Sequence, residues 1–301
     1  MEKQNLMIYH YDAFSRIPGN GNPAGIVLNA DQLSEEQMQE IAKQVGFNET
    51  AFILQSDAAD LRIRYFTPGH EMNLCGHATV ATAYCLHERC LLQGKDEVMI
   101  ETKAGIISLK IKESDNGTLI EMMQISPSFE TYSGSHESLA AVLGITANDI
   151  DDNLPIVYGS TGTWTLLVPV KELSVFERMK PQNELFPSVL EQKPSCSIHP
   201  FCFQTLKEGR QVHSRHFSSP YSGTVEDPVT GTASGVIGCY YAAYVDPHMA
   251  DYHFIMEQGH EVGRDGEVHV YVSNSPSRTS VAIAGSAVFV GTIDLDIPAL
   301  K

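Results

Sequence analysis

Three short stretches hold the residue types that proton-transfer chemistry needs. Phe47-Asn48-Glu49-Thr50-Ala51-Phe52-Ile53 sets one carboxyl among apolar side chains, and Cys75-Gly76-His77 puts a thiol and an imidazole on either side of a glycine. Glu226-Asp227-Pro228-Val229-Thr230-Gly231-Thr232 adds a second carboxyl and two hydroxyls. Apolar neighbours disfavour an ionised carboxylate, which suits Glu49 to shuttling a proton near neutral pH. Asp227, held on a loop by Pro228, could orient His77 or bind a substrate amine. Two carboxyls in unlike environments can take different protonation states, one as acid and one as base. Each group also has a plainer reading. Glu49 would be a solvated strand-edge residue, His77 a helix-start cap, and Asp227 a turn former before proline.

Three helices are expected to position these groups. Ser34 and Gln37 are spaced for a capping box, Met38, Ile41, Ala42 and Val45 form one apolar face, and Gly46 stands where a C-cap belongs. Glu49 then opens a strand-like run. Two further helices, over 76–87 and about 231–245, are rich in small and apolar residues and have no polar face, so each is expected to be buried within its own sheet. A helix N-terminus carries unpaired N–H groups and a partial positive charge, and glycine there admits a close neighbour. Gly76 and Gly231 are therefore expected to supply backbone donors to a carboxylate ligand.

The two halves of the chain rhyme. Arg64-x-Phe66 matches Arg215-x-Phe217, and Gly76-His77-Ala78-Thr79 matches Gly231-Thr232-Ala233-Ser234, with four more residues between the anchors in the second copy. Upstream, the Gly-rich runs at 21–28 and 159–168 correspond. Downstream, hairpin-like pairs at 98–111 and 254–272 correspond as well. Four blocks in one order point to an internal duplication, with the segment 112–136 as the crossover. Duplication would face the two helix N-termini across a central cleft holding one small acid.

With 20 Lys and Arg against 37 Asp and Glu, the net charge of −17 disfavours nucleic acid and anionic membrane surfaces as partners. The N-terminal residues lack a signal-peptide pattern and no apolar run is long enough to span a bilayer, so a cytoplasmic protein is expected. Six cysteines in 301 residues do not form a disulfide framework. Cys85, His87 and Cys90 match no zinc spacing, and no metal site is expected. Dinucleotide-binding, P-loop and nucleophile-elbow patterns are absent.

The runs GNPAGIVL (21–28), FNETAFI (47–53), CGHATVATA (75–83) and EDPVTGTASG (226–235) together resemble the PhzF family of phenazine-biosynthesis-type isomerases, along essentially the whole chain. The resemblance implies an α+β fold of two pseudo-symmetric diaminopimelate epimerase-like domains, each a sheet or barrel wrapped around a central helix. One domain would take 1–120 with a C-terminal strand at about 288–301, the other 121–287, and the active-site cleft would lie between them. The resemblance further implies cofactor-free acid–base isomerisation of a small carboxylate, in a homodimer. In the phenazine pathway the family's substrate is a dihydro-hydroxyanthranilate. The catalytic glutamate falls on Glu49, the active-site histidine on His77, the aspartate on Asp227 and a hydroxyl residue, usually Ser, on Thr232. The added methyl of Thr232 leaves the substrate's shape open at that point.

Thiol-dependent epimerases and racemases of this fold use two facing cysteines. The repeat aligns Cys75 with Thr230, whose hydroxyl is too weak an acid to partner a thiol. Cys75 is thus expected to be a buried filler or a minor substrate contact, with Thr230 beside the substrate. An epimerase with another second base, and a metabolite-binding protein without catalysis, stay open as alternatives.

Overall fold

A computed structural model describes residues 3–113, 117–275 and 278–298. Residues 1–2 and 114–116 of the expected first half, and 299–301 of the expected C-terminal strand, lie outside the described residues. The chain divides into two units, one of 1–123 with 284–301 and the other of 124–283. The fold is α+β. Among the described residues no helix is long and apolar enough to cross a membrane.

In the first unit, strand Lys3–Ala13 pairs antiparallel with both Ala287–Pro298 and Asn22–Val27. Asn22–Val27 runs parallel to Glu49–Leu54, and helix Glu35–Val45 makes the crossover. That helix has the expected ends: Ser34 and Gln37 close a capping box, and Gly46 is left-handed at φ 73°. Met38, Ile41 and Ala42 are buried against Ile8, Val27, Phe52 and Phe66, which fixes where Glu49 emerges. Strand Leu61–Phe66 follows antiparallel and takes the short strand Glu71–Met72 as a partner. Helix Gly76–Glu88 then crosses to Glu97–Thr102, parallel to Leu61–Phe66, and the hairpin to Gly105–Lys112 completes the run.

The second unit repeats this order of pairings. Trp164–Pro169 runs parallel to Ser197–Cys202, which takes Val212–Ser214 and His216–Phe217 antiparallel. Glu226–Asp227 pairs antiparallel with His216–Phe217. Helix Gly231–Tyr240 crosses to Asp251–Gln258, parallel to Val212–Ser214, and a hairpin to Gly266–Ser275 follows. The helix continues as a π-helical turn over Tyr241–Val245. Within residues 112–136, expected as a connection, two strands form at Leu119–Met123 and Ser128–Thr131. The short apolar run at 119–123 is buried against its unit, and its length hid it among Asp, Ser and Gly neighbours.

Both crossover helices are buried on nearly every side, as their composition predicts. Helix Gly76–Glu88 packs on Lys3–Ala13, Asn22–Val27, Glu49–Leu54 and Ala287–Pro298 of its own unit; helix Gly231–Tyr240 packs on Val157–Ser160, Asp251–Gln258 and Gly266–Ser275 of its own. The matched Arg-x-Phe anchors make matched contacts. Arg64 grips Glu71 through Nε and Nη2 at 2.6 and 2.8 Å, and Arg215 grips Glu226 at 2.8 and 2.6 Å. Each guanidinium also lies over its Phe, Phe66 at 5.1 Å and Phe217 at 4.7 Å. Bidentate pairing of this kind fixes the angle of the short strand that leads into each helix.

Candidate active site

In the first unit, Cys75 is extended at φ −136° and caps helix Gly76–Glu88. Thr79 closes the first turn through its amide (3.0 Å) and hydroxyl (2.6 Å) on the Cys75 carbonyl, and it shares a 2.6 Å hydrogen bond with the buried Tyr65 hydroxyl. No acidic residue lies in that first turn, so the positive end of the helix is not offset within its own sequence. His77, the second residue of the helix, is buried with both ring nitrogens engaged. Its Nδ1 lies 3.1 Å from Asn22 Nδ2, and its Nε2 lies 3.2 Å from Glu49 Oε2. With the Asn22 amide in this orientation Nδ1 is the acceptor and Nε2 carries the ring proton, in contact with Glu49 Oε2. Glu49 is the first residue of its strand and its side chain keeps 15% of its surface exposed. The carboxyl is therefore held by a buried histidine yet open to an incoming molecule.

Asn22 is a member of this cluster that the sequence reading missed. It begins the strand beside Glu49, with Ala24 opposite Glu49 in the register. The loop that delivers it is built tightly. Buried Asp12 accepts from the Gly19 amide at 2.7 Å, and Phe14 is left-handed at φ 63°. Gly21 is left-handed at φ 74°, and a Cβ there would meet the Ala13 carbonyl oxygen at 2.2 Å. Only glycine fits immediately before Asn22.

Cys75 is buried, as expected of either reading given for it. Its Sγ lies 3.5 Å from His77 Nδ1 and 4.0 Å from Nε2, so the thiol is part of the polar cluster. Glu49, Cys75 and His77 are, among the described residues, the one group of three metal-capable side chains whose donor atoms all lie within 4.8 Å of one another. Against the expectation of no metal site, these three could hold an ion; in the other segment considered, His87 instead pairs with Glu113 at 2.8 Å.

In the second unit, Thr230 caps helix Gly231–Tyr240 and donates its hydroxyl to Asp227 at 2.5 Å. Gln258 clamps the same loop, donating from Nε2 to the Asp227 carbonyl at 2.8 Å and accepting from the Thr230 amide at 3.1 Å. Gly259 follows at φ 93°, where a Cβ would lie 2.8 Å from the Pro228 carbonyl oxygen. Gly231 is buried, and Thr232 is half-buried with its carbonyl accepting from the Thr161 hydroxyl at 3.3 Å. His216 stands directly across the strand pair from Asp227, and its Nδ1 is 2.9 Å from His199 Nδ1. Burial holds both imidazoles below the ordinary histidine value, Asp227 only partly offsetting this at His216. Gln258 and His216 were also missed, being distant in sequence from the motif they support.

The chain is similar to known proteins along nearly its whole length. A family described as "Phenazine biosynthesis-like protein" (PhzC-PhzF) matches residues 11–292. The uncharacterized isomerase YfhB of Bacillus subtilis is 50% identical over 291 residues, covering 96% of this chain and 98% of that protein. The trans-2,3-dihydro-3-hydroxyanthranilate isomerase of Pseudomonas aeruginosa is 30% identical over 278 residues, covering 91% and 94%. The crystal structure of a PhzF-family phenazine biosynthesis protein from Bacillus anthracis superposes with a TM-score of 0.96 at 55% identity, covering 98% of this chain and 100% of that one.

Proposed function

Because the chain belongs to the PhzC-PhzF family of phenazine biosynthesis-like isomerases, we propose that it isomerises a small carboxylate metabolite by acid–base proton transfer without a cofactor. The observation that carries this reading is the Glu49–His77 contact of 3.2 Å at the start of a buried helix. Glu49 takes a proton from an activated carbon of the substrate and returns it, or an equivalent one, elsewhere on the same molecule. His77 holds the carboxyl that does this, and Asn22 holds His77. Asp227 and Thr232 orient the substrate, and amides after Gly76 and Gly231 receive its carboxylate. The protein acts as a cytoplasmic homodimer on a free small molecule.

A two-base epimerase that uses position 230 finds less support. Thr230, which stands where a second thiol would, donates its hydroxyl to Asp227 and is not placed as a base. The deciding experiment is turnover of trans-2,3-dihydro-3-hydroxyanthranilate, followed by ultraviolet absorbance, in wild type and Glu49→Gln. The expected result is turnover in wild type and a loss of at least ~10²-fold in the variant. Full turnover in Glu49→Gln would remove Glu49 from the mechanism. An inactive wild type would exclude this substrate and direct the search to other small carboxylates in deuterated water, where isotope at a stereocentre would favour epimerisation.

A further inference from the structure

We propose that Glu49, Cys75 and His77 form a binding site for one thiophilic divalent cation such as Zn2+, which occupies the catalytic carboxylate and so blocks the enzyme. The occlusion rests on the role given to Glu49 above; the binding does not. The donors are one thiol sulfur, one imidazole nitrogen and one carboxylate oxygen, a set that suits zinc and cobalt far better than magnesium or calcium.

The separations fit a tetrahedron. With metal–nitrogen and metal–oxygen bonds of about 2.0 Å and a metal–sulfur bond of about 2.3 Å, the nitrogen–oxygen edge is about 3.3 Å and the nitrogen–sulfur edge about 3.5 Å. Nε2 to Oε2 is 3.2 Å and Nε2 to Sγ is 4.0 Å. The carboxylate and imidazole are already spaced as ligands, and the thiol, which lies within 4.8 Å of both, must move inward to close its edges.

Charge and the Asn22 contact agree with this site. A thiolate and a carboxylate together neutralise a divalent ion, so no net charge is placed in this mostly buried cluster. The helix N-terminus at Cys75 favours an anionic sulfur. Binding through Nε2 requires the ring proton on Nδ1, and rotation of the Asn22 amide would turn its oxygen toward Nδ1 to accept it. The imidazole proton thus moves between its own two nitrogens, and the thiol proton leaves to solvent. About one proton is released per ion bound, so affinity rises with pH. With three protein ligands and the partial exposure of Glu49, the fourth position is left for water or a substrate carboxylate.

The test is a titration of the reduced, chelator-treated full chain with Co2+, which absorbs where Zn2+ is silent. One Co2+ per chain is expected, with a thiolate-to-cobalt charge-transfer band in the near ultraviolet and tetrahedral bands in the visible, all abolished by Zn2+. The charge-transfer band should vanish in Cys75→Ser. It should persist in Cys90→Ser, which removes the exposed thiol. Glu49→Gln, which preserves side-chain shape, should weaken binding at least ~10-fold. No such band in wild type, a band surviving Cys75→Ser, or unchanged affinity in Glu49→Gln would overturn the site. None of these readings uses turnover, so they leave the isomerase assignment to stand or fall on its own assay.

Discussion

At the residue scale, the contact between Asn22 and His77 decides which imidazole nitrogen faces Glu49. Replacing Asn22 with Ala removes the amide at 3.1 Å from Nδ1 and lets the ring turn or change tautomer. Misplacement by about an ångström at a reacting centre costs up to ~10²-fold in rate. We expect kcat of Asn22→Ala on the turned-over carboxylate to fall ~10- to 10²-fold while KM stays within a few-fold, if Asn22 acts through His77. Steady-state kinetics would check this, and a rise in KM with kcat intact would make Asn22 a substrate contact instead. Glu49 and His77 were legible in the sequence because each stands at the start of an element: one opens a strand after a helix C-cap, the other follows the glycine that opens a helix. Asn22 was not, because the 55 residues between it and His77 are bridged only by sheet pairing. Cys75 was read as a buried filler or a minor substrate contact because its repeat partner is a threonine; its closeness to the ring two residues on was not visible in the repeat.

At the element scale, the second crossover helix depends on glycines that let strands approach it. A Cβ on Gly238 would meet Val270 Cγ1 at 2.7 Å and Val272 Cγ2 at 2.9 Å, both on the packed strand Gly266–Ser275. On Gly235, the nearest atom would be Ile283 Cγ2 at 3.2 Å, a methyl that can yield. Alanine gains about 1 kcal/mol of helix propensity at either site, whereas overpacking costs about 1–3 kcal/mol. Gly238→Ala should therefore lower Tm by several degrees and Gly235→Ala should leave it nearly unchanged, as thermal unfolding would show. Equal losses at both sites would mean that the helix, not its contact with the strand, sets the response. Here composition alone predicted the outcome: a helix of small residues without a polar face has to be enclosed. The capping box at Ser34 was just as plain, since every group it uses lies within four residues. Strand Ser128–Thr131 was not, because it pairs with Val157–Ser160, which comes far later, and nothing local marks it.

At the scale of the whole molecule, the two units repeat one order of pairings, and the repeat extends to a cation facing a glutamate across parallel strands. Arg62 stands opposite Glu101 in the first unit, and His213 opposite Glu257 in the second. The two corresponding pairs differ sharply in burial. Arg62 Nε and Glu101 Oε1 are 3.8 Å apart at the surface, where such a pair contributes at most about 1 kcal/mol. His213 is fully buried, with Nδ1 2.8 Å from Glu257 and Nε2 2.9 Å from Glu261. Burial alone would lower the His213 pKa; the hydrogen bonds to both glutamates overcome it and raise the value to about 9. Burial likewise opposes ionisation of Glu257 and Glu261, and the bonds to His213 still hold both below the usual carboxylate range. The imidazolium thus contributes about 3 kcal/mol that is fully present below pH ~6.5 and lost as pH rises through ~9. The carboxylates contribute stability that is present above pH ~4.5 and lost as pH falls through their lowered folded values. Denaturant unfolding should show stability greatest near pH ~6.5, declining as pH rises through ~9 with loss of the His213 imidazolium, and declining below ~6.5 because buried His199 and His216 resist protonation. His213→Gln should lose about 3–5 kcal/mol there, because two buried carboxylates are left without their cation, and it should lose the alkaline decline as well. Arg62→Gln should change stability by less than about 1 kcal/mol and keep that decline. A His213→Gln protein with the wild-type alkaline limb would show that some other group titrates between pH 7 and 9.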